Sequence, residues 1–171
     1  MTYFFRAPFM SIQKQEFYEG AALHRIIRGS AGTRVAHSPP LFIFDERLQI
    51  HLKYSTAKRG PWGFTFMPEE QILLREHSRV MTLVIGLICG ADSVAALPYD
   101  DYAYVAALKD VALHISCRRS HREHFEIRGP DGVLPGKIAP SDWTKLLKNW
   151  KGKILAVLST ATRCSTCFAS R

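Results

Sequence analysis

The chain has 171 residues, 47% of them hydrophobic, and its 23 basic and 15 acidic residues give a net charge of +8. This length and composition exclude wholesale disorder and are typical of one compact domain. The longest apolar run, residues 81–91, is too short to cross a bilayer, which requires about 20 residues, and the first residues lack the pattern of a signal peptide. We therefore expect a soluble cytoplasmic protein with no membrane partner.

The positive charge is concentrated near the carboxyl end of the chain. Residues 143–171 contain six basic residues and no acidic one, whereas residues 1–142 contain 17 basic and 15 acidic residues. We therefore divide the chain into one globular domain over residues 1–150 and a basic tail over residues 151–171. A positive field favours polyanions such as nucleic acids, although a basic tail that only keeps the chain soluble is the alternative.

The first half of the chain predicts a helix followed by a hairpin. Hydrophobic residues at helical spacing predict a helix over residues 15–28, which ends at a glycine-rich segment. Residues 41–44 are apolar and predict a short buried strand. Residues 48–55 alternate apolar and polar side chains, which predicts a second strand with one apolar and one polar face. A further short strand is expected over residues 62–66.

The second half predicts alternating helices and strands. A helix begins at Pro68, because proline followed by acidic residues is typical of a first helical turn, and it reaches about Val80. The elements expected after it are strands over 81–89 and 94–97, a helix over 100–107, strands over 111–117 and 124–128, and a helix over 141–149. This order predicts a mixed α/β fold with a single central mixed β-sheet flanked by helices.

The hairpin carries the residues most suited to chemistry. Asp45 follows the first strand, and Lys53 lies two residues after His51 on the polar face of the second strand. Glu19 lies on the helix that precedes them. Hydrolysis of a phosphodiester requires hard oxygen ligands for a divalent cation and a positive group that orients water or stabilises charge. These four residues are therefore candidates for such a site.

In this order of elements the sequence resembles the PD-(D/E)XK nuclease superfamily over roughly residues 15–100. In that superfamily a helix acid, a strand aspartate and an acid-x-lysine strand surround magnesium. The resemblance implies a restriction-endonuclease-like fold and metal-dependent phosphodiester hydrolysis with Mg²⁺ or Mn²⁺. It assigns Asp45, Glu19 and His51 as catalytic metal ligands, and Lys53 as the catalytic group that positions the attacking water. The sequence departs from the family at His51, where an acidic residue or glutamine is usual, and imidazole suits manganese or nickel better than magnesium.

Three arginines suggest a second kind of function. Arg118, Arg119 and Arg122 form a basic cluster, which predicts contacts to the phosphates of DNA or RNA. The alternative to a nuclease is therefore a non-catalytic nucleic-acid-binding or protein-interaction module with a degenerate nuclease-like fold. A protein partner or a second copy of the chain stays open as well. Cys164 and Cys167 form a lone C-x-x-C pair, which would need two further ligands to hold zinc.

Overall fold

The computed structural model describes residues 12–30 and 32–149, so the basic tail with Cys164 and Cys167 lies outside the described residues. The helices are α1 (Lys14–Ile27), α2 (Pro68–Val80), α3 (Tyr99–Val105) and α4 (residues 140–149). The strands are β1 (Val35–Ser38), β2 (Leu41–Phe44), β3 (Leu48–Ser55), β4 (Trp62–Phe66), β5 (Thr82–Cys89), β6 (Ser93–Pro98), β7 (Leu113–Arg118), β8 (Glu126–Gly129) and β9 (Gly132–Val133). No helix in the described part of the chain combines the length and the apolar character that crossing a membrane requires.

A five-stranded mixed sheet with the order β1-β2-β3-β5-β6 forms the centre of the fold. Strands β1, β2 and β3 form an antiparallel meander, and β3 then pairs with β5 in parallel. A parallel pair requires a crossover connection, and β4 and α2 supply it here. The mixed α/β class that the sequence predicts is confirmed.

The remaining strands form a second, antiparallel sheet with the order β4-β7-β8-β9, instead of joining one central sheet. The burial of β4 explains this division. Trp62, Phe64 and Phe66 are buried, whereas Gly63 and Thr65 between them are exposed. A strand with one buried and one exposed face suits an outer layer that packs on the central sheet.

Strand β5 is covered on both faces, as its continuous apolar sequence predicts. Leu83, Ile85 and Leu87 belong to the core that includes the second sheet, α2 and α3. Val84 and Ile88 belong to a separate core that includes α1 and α4. The fold therefore has three layers, with the five-stranded sheet in the middle.

Trp143 of α4 ties the outer helices to the central sheet. Its side chain is buried, and its Nε1–H donates a hydrogen bond of 3.0 Å to the carbonyl oxygen of Ala22 in α1. The indole ring also lies beside Gly86 of β5, where a Cβ atom would come within 2.9 Å of the ring and 2.6 Å of Leu52 Cδ2. Glycine at this position therefore allows the indole to pack directly against the sheet.

Two short strands are absent from the sequence-based prediction. Strand β1 is exposed at all four positions and lies at the edge of the central sheet, so it lacks the hydrophobic alternation that marks a strand. Strand β9 has only two residues. Each of these strands forms because a neighbouring strand presents backbone N–H and C=O groups for pairing. This pairing exists only in the folded sheet, so the local sequence does not predict it.

The contact between Gly86 and Trp143 leads to a stability prediction. We expect Gly86→Ala to lower the free energy of unfolding by about 1–3 kcal/mol, because the added methyl group overpacks a closed core. The control is Gly20→Ala in α1, where no atom lies within 4 Å of the added Cβ. This change should stabilise the protein by about 0.5–1 kcal/mol, because alanine favours the helix. Urea unfolding monitored by circular dichroism measures both, and equal effects of the two variants would contradict the packing described for Trp143.

Candidate functional site

The polar face of β3 is buried inside the protein. Gln49 and His51 are only 3% and 4% exposed, and Lys53, the next residue on that face, is half-buried. This face turns toward α2 and the second sheet, and the ammonium of Lys53 lies 5.1 Å from the ring centre of Phe66 in β4. Buried polar groups need hydrogen-bond partners, and Gln49 Oε1 has none within residues 12–30 and 32–149. The partners of His51 and Lys53 define the candidate site.

The carboxylate of Glu70 binds both His51 and Lys53. His51 Nε2 lies 2.6 Å from Glu70 Oε1, and Lys53 Nζ donates to Glu70 Oε2 at 2.9 Å. Glu70 belongs to the first turn of α2, which begins at Pro68 directly after β4. This carboxylate therefore joins α2 to two residues of β3 that point in the same direction.

Both ring nitrogens of His51 face hydrogen-bond acceptors. Nδ1 lies 3.3 Å from the carbonyl oxygen of Pro40, and Nε2 faces the Glu70 carboxylate. A neutral imidazole has one donor and one acceptor nitrogen, whereas an imidazolium donates from both. An imidazolium donates to both partners at once, whereas a neutral ring donates to only one of them.

The environment of Glu70 keeps its carboxyl group ionised. Burial acts to raise its pKa, but hydrogen bonds and charge from His51 and Lys53 act in the opposite direction and are stronger in total. The pKa of Glu70 is therefore lowered from its ordinary value of 4.5. At neutral pH the side chain is a carboxylate held between His51 and Lys53.

These residues line a pocket of about 830 Å³. Its acidic and basic lining residues are Glu16, Glu19, His37, His51, Lys53 and Glu70. With histidines counted as neutral, three carboxylates face the one ammonium of Lys53, which gives the lining a net charge of −2, in a chain whose net charge on the same basis is +8. We call this cavity the acidic pocket, because its charge favours a cation over a bare anion.

Aromatic stacking brings Glu19 of α1 to the acidic pocket. Tyr18 stacks on Tyr54 of β3 with the ring centres 5.3 Å apart, and Glu19 follows Tyr18 in α1. Glu19 is half-buried, and its Oε1 accepts a hydrogen bond of 2.7 Å from Gln15 Nε2. The structure thus brings Glu19, His51 and Lys53 to one cavity.

The structure does not bring Asp45 to this cavity, which corrects its assignment as a ligand beside Glu19 and His51. Asp45 lies in the turn between β2 and β3 with a φ of 50°. Its N–H donates to the carbonyl oxygen of Arg34 and its Oδ1 accepts from the N–H of Arg34. The register places this turn beside Leu48, and Lys53 lies five strand residues further, about 16 Å away at 3.3 Å per residue. Asp45 closes the hairpin end opposite the pocket.

The side chains that line the pocket determine whether it has the ligands for a metal ion. The set Asp45, Glu19 and His51 does not fit one ion, and no group of three or more His, Cys, Asp or Glu side chains within the described residues forms a metal site. Glu19 and Glu70, however, offer carboxylate oxygens to the same pocket. Magnesium is often held by one or two carboxylates together with the phosphates of a substrate. The pocket offers carboxylates of this kind, but the described residues form no complete set of metal ligands there.

Sequence reasoning assigned Glu70 only to the start of a helix. It lies 17 residues after Lys53, and acids in a first helical turn are common because they favour the helix dipole. One signal does distinguish it from Glu69. Glu70 lies four residues before the buried Leu74, so the two share the inward face of α2. A carboxylate on the buried face of a helix needs a cation or a hydrogen-bond donor beside it, so its position predicts such a partner.

The three arginines of the basic cluster lie in different surroundings. Arg118 is exposed on β7 and lies opposite Glu126 in the sheet register. Arg119 Nη1 donates to Asp92 Oδ2 at 2.7 Å. Arg122 is exposed in the loop after β7. Arg119 and Arg122 line a shared cleft, and Arg118 does not.

Comparisons with known proteins give no match to this chain among protein-family models, curated proteins or solved structures.

The buried ion pairs of Glu70 lead to a prediction about pH. We expect Glu70→Gln to lower the free energy of unfolding by about 1–3 kcal/mol at pH 6, because hydrogen bonds to charged groups have this value. Folding lowers the pKa of Glu70, so the ionised carboxylate stabilises the fold above pH 4.5 and this stabilisation is lost as the pH falls through the folded pKa. The difference between parent and variant should therefore shrink below pH 4.5.

Urea unfolding at a series of pH values from neutral to acidic measures this difference. Glu69→Gln is the matched control, because Glu69 is an exposed acid in the same helical turn. We expect it to change stability little at any pH. A Glu70→Gln effect that stays constant into acid, or an equal effect of Glu69→Gln, would contradict the role of the carboxylate.

Proposed function

We propose that this protein is a nuclease that hydrolyses nucleic-acid phosphodiesters in the acidic pocket. One observation carries the proposal: Glu70 holds His51 and Lys53, two residues apart on β3, in a pocket that Glu19 also lines. The observed order of α1, the β1-β2-β3 meander, β4, α2 and β5 also supports it. That order contains the succession of helix, hairpin, helix and strand on which the resemblance to PD-(D/E)XK nucleases is based, with β4 as an additional strand between the hairpin and α2.

Lys53 is the residue we assign to the scissile phosphate. One N–H of its ammonium donates to Glu70 at 2.9 Å, and the other two are available for phosphate oxygens. Glu70 fixes the ammonium in one position, so that it stabilises negative charge as it develops on the phosphate in the transition state. Removal of either side chain therefore disturbs the same contact.

His51 acts in this proposal as a positioning residue. Its Nδ1 is held by the carbonyl of Pro40 and its Nε2 by Glu70, so neither nitrogen is placed to take a proton from water. The imidazole instead orients the Glu70 carboxylate through Oε1, while Lys53 binds Oε2. This role replaces the metal-ligand role that the resemblance implies for His51.

A requirement for a divalent cation, Mg²⁺ or Mn²⁺, is part of the proposal. The carboxylates of Glu19 and Glu70 line the same pocket, although their helices cover opposite faces of the central sheet. When bound, the cation would offset phosphate charge and lower the pKa of a coordinated water. Glu19 Oε1 already accepts a hydrogen bond from Gln15, and this bond orients the carboxylate at the pocket. The acidic lining selects for a cation before the polyanion arrives.

A cytoplasmic location is part of the proposal. Cys89 and Cys117 are buried free thiols whose sulfur atoms lie 3.6 Å apart. Free cysteines persist where the cell keeps thiols reduced, as in the cytoplasm. Intracellular nucleic acid is available in the same compartment.

The second candidate function is nucleic-acid binding without catalysis. It is favoured by the hydrogen bonds that already occupy both oxygens of Glu70 and both nitrogens of His51. In that case the ion pairs only stabilise the packing of α2 on β3. A cleavage assay separates the two functions.

The test uses the full chain with end-labelled single- and double-stranded DNA and RNA, in the presence of Mg²⁺, Mn²⁺ or a chelator. We expect cleavage that requires a divalent cation and that falls by about 10²–10³-fold in Lys53→Ala and Glu70→Gln, because each change removes transition-state stabilisation. Lys109→Ala and Asp131→Asn are matched controls, since these residues form an ion pair of 2.6 Å outside the pocket. Both controls should cleave like the parent.

Two results would contradict the proposal. Full activity in Lys53→Ala would show that the acidic pocket is not the site of cleavage. Binding of nucleic acid by the parent without cleavage in any metal would support the non-catalytic function. A circular dichroism spectrum of each variant verifies that it is folded.

A further inference from the structure

A second cavity lies between two loops, and its lining is basic. The cleft has a volume of about 570 Å³ and shares no lining residue with the acidic pocket. The loop between β3 and β4 contributes Lys58 and Arg59, and the loop between β7 and β8 contributes Arg119 and Arg122. We call it the basic cleft. Sequence reasoning identified one side of it and missed Lys58 and Arg59.

Three of these cations have no carboxylate partner. Lys58, Arg59 and Arg122 are exposed, and none forms an ion pair in the part of the chain that the structure describes. Arg119 is paired with Asp92, the acid of the lining, at 2.7 Å. Four cations against one carboxylate give the lining a net charge of +3 with His121 neutral. Exposed, concentrated positive charge of this kind attracts phosphate groups.

Arg119 forms a fixed wall of the basic cleft. Its Nε–H donates to the carbonyl oxygen of Glu123 at 2.7 Å, and its guanidinium lies 5.3 Å from the ring centre of Phe125. Together with the Asp92 pair, these contacts fasten the β7-β8 loop to the turn between β5 and β6. Arg122 follows in a turn in which the Glu123 N–H donates to the carbonyl oxygen of Ser120.

The basic cleft lies beside the acidic pocket along the same two strands. Lys53 and Tyr54 of β3 line the pocket, and the chain then continues to Lys58 and Arg59 of the cleft. Strand β4 returns from Trp62 in the cleft to Thr65 in the pocket, a step of three residues or about 10 Å. This step is the backbone separation of the two cavities along β4.

From this geometry we propose that the basic cleft binds backbone phosphates of the same nucleic-acid strand that enters the acidic pocket. Lys58, Arg59 and Arg122 bind phosphates of this strand that lie outside the pocket. We assign these cations to phosphates and not to bases, and Trp62 offers no stacking surface to a base because it is 4% exposed and its Nε1–H is bound to the carbonyl oxygen of Ala57. Binding there is therefore independent of sequence. This proposal rests on the proposed function in one respect, that the ligand of the pocket is a nucleic acid.

The test measures binding of a fluorescent oligonucleotide by anisotropy, in chelator so that no cleavage occurs, over a series of salt concentrations. We expect the triple variant Lys58→Ala, Arg59→Ala and Arg122→Ala to bind at least about tenfold more weakly at low salt. The slope of log K against log salt should fall by about two to three units, one for each lost phosphate contact. Oligonucleotides of unrelated sequence should give the same loss.

The matched control removes the same number of charges elsewhere. Arg47, Arg79 and Arg128 are exposed and lie outside the cleft and the pocket, so their triple alanine variant has an equal net charge. It should retain most of the affinity and the slope. Equal weakening in both triple variants would show that only net charge matters and would overturn the proposal, as would unchanged binding in the cleft variant.

The two proposals fail in different ways. A parent protein that binds through the basic cleft but cleaves no substrate disproves hydrolysis and leaves the cleft supported. A cleft variant that binds like the parent while Lys53→Ala loses cleavage disproves the cleft and supports the pocket. Absence of any binding by the parent overturns both.

Discussion

The carboxylate of Glu70, held between His51 and Lys53, is the interaction on which the site depends. Taking charged groups out of water costs several kcal/mol for each ion, so a buried or half-buried charge needs a close partner. The buried imidazole and the half-buried ammonium on β3 therefore require a partner from the layer above them, and the Glu70 carboxylate in the first turn of α2 supplies it at 2.6 and 2.9 Å. The position of α2 over β3, and hence one wall of the acidic pocket, follows from this requirement.

The distribution of charge around β4 gives the two cavities different preferences. The acidic pocket has more carboxylates than cations, and the basic cleft has four cations and one carboxylate. A phosphodiester strand gains from the cleft but is repelled by the pocket unless a cation offsets the carboxylates. The acidic pocket favours cations and the basic cleft favours anions, and the two cavities lie about 10 Å apart along the backbone of β4. This distribution of charge supports the proposal that the cleft holds the backbone of a nucleic acid and that one phosphate lies beside Lys53.

The three layers give these loops and side chains a rigid support. Both faces of β5 are covered, and Trp143 reaches from α4 past Gly86 to bond the backbone of α1. Helix α1 in turn carries Glu19 to the pocket through the stacking of Tyr18 on Tyr54. Because the core is tightly packed, the positions of these side chains vary little. The pocket is consequently built from elements of every layer.

The sequence by itself determined the order and type of most elements, because hydrophobic periodicity and helix signals are local. The helix at Pro68, the alternation of β3 and the apolar strand β5 all follow from residues within one short window. Only the tertiary structure decided which strands share a sheet, because pairing depends on residues far apart in the chain. The tertiary structure also decided the composition of the site. It turned the polar face of β3 inward, brought Glu70 to His51 and Lys53, and placed Asp45 at the far end of the hairpin. Local patterns identify polar residues, but the burial and partners of those residues arise only when distant segments pack together.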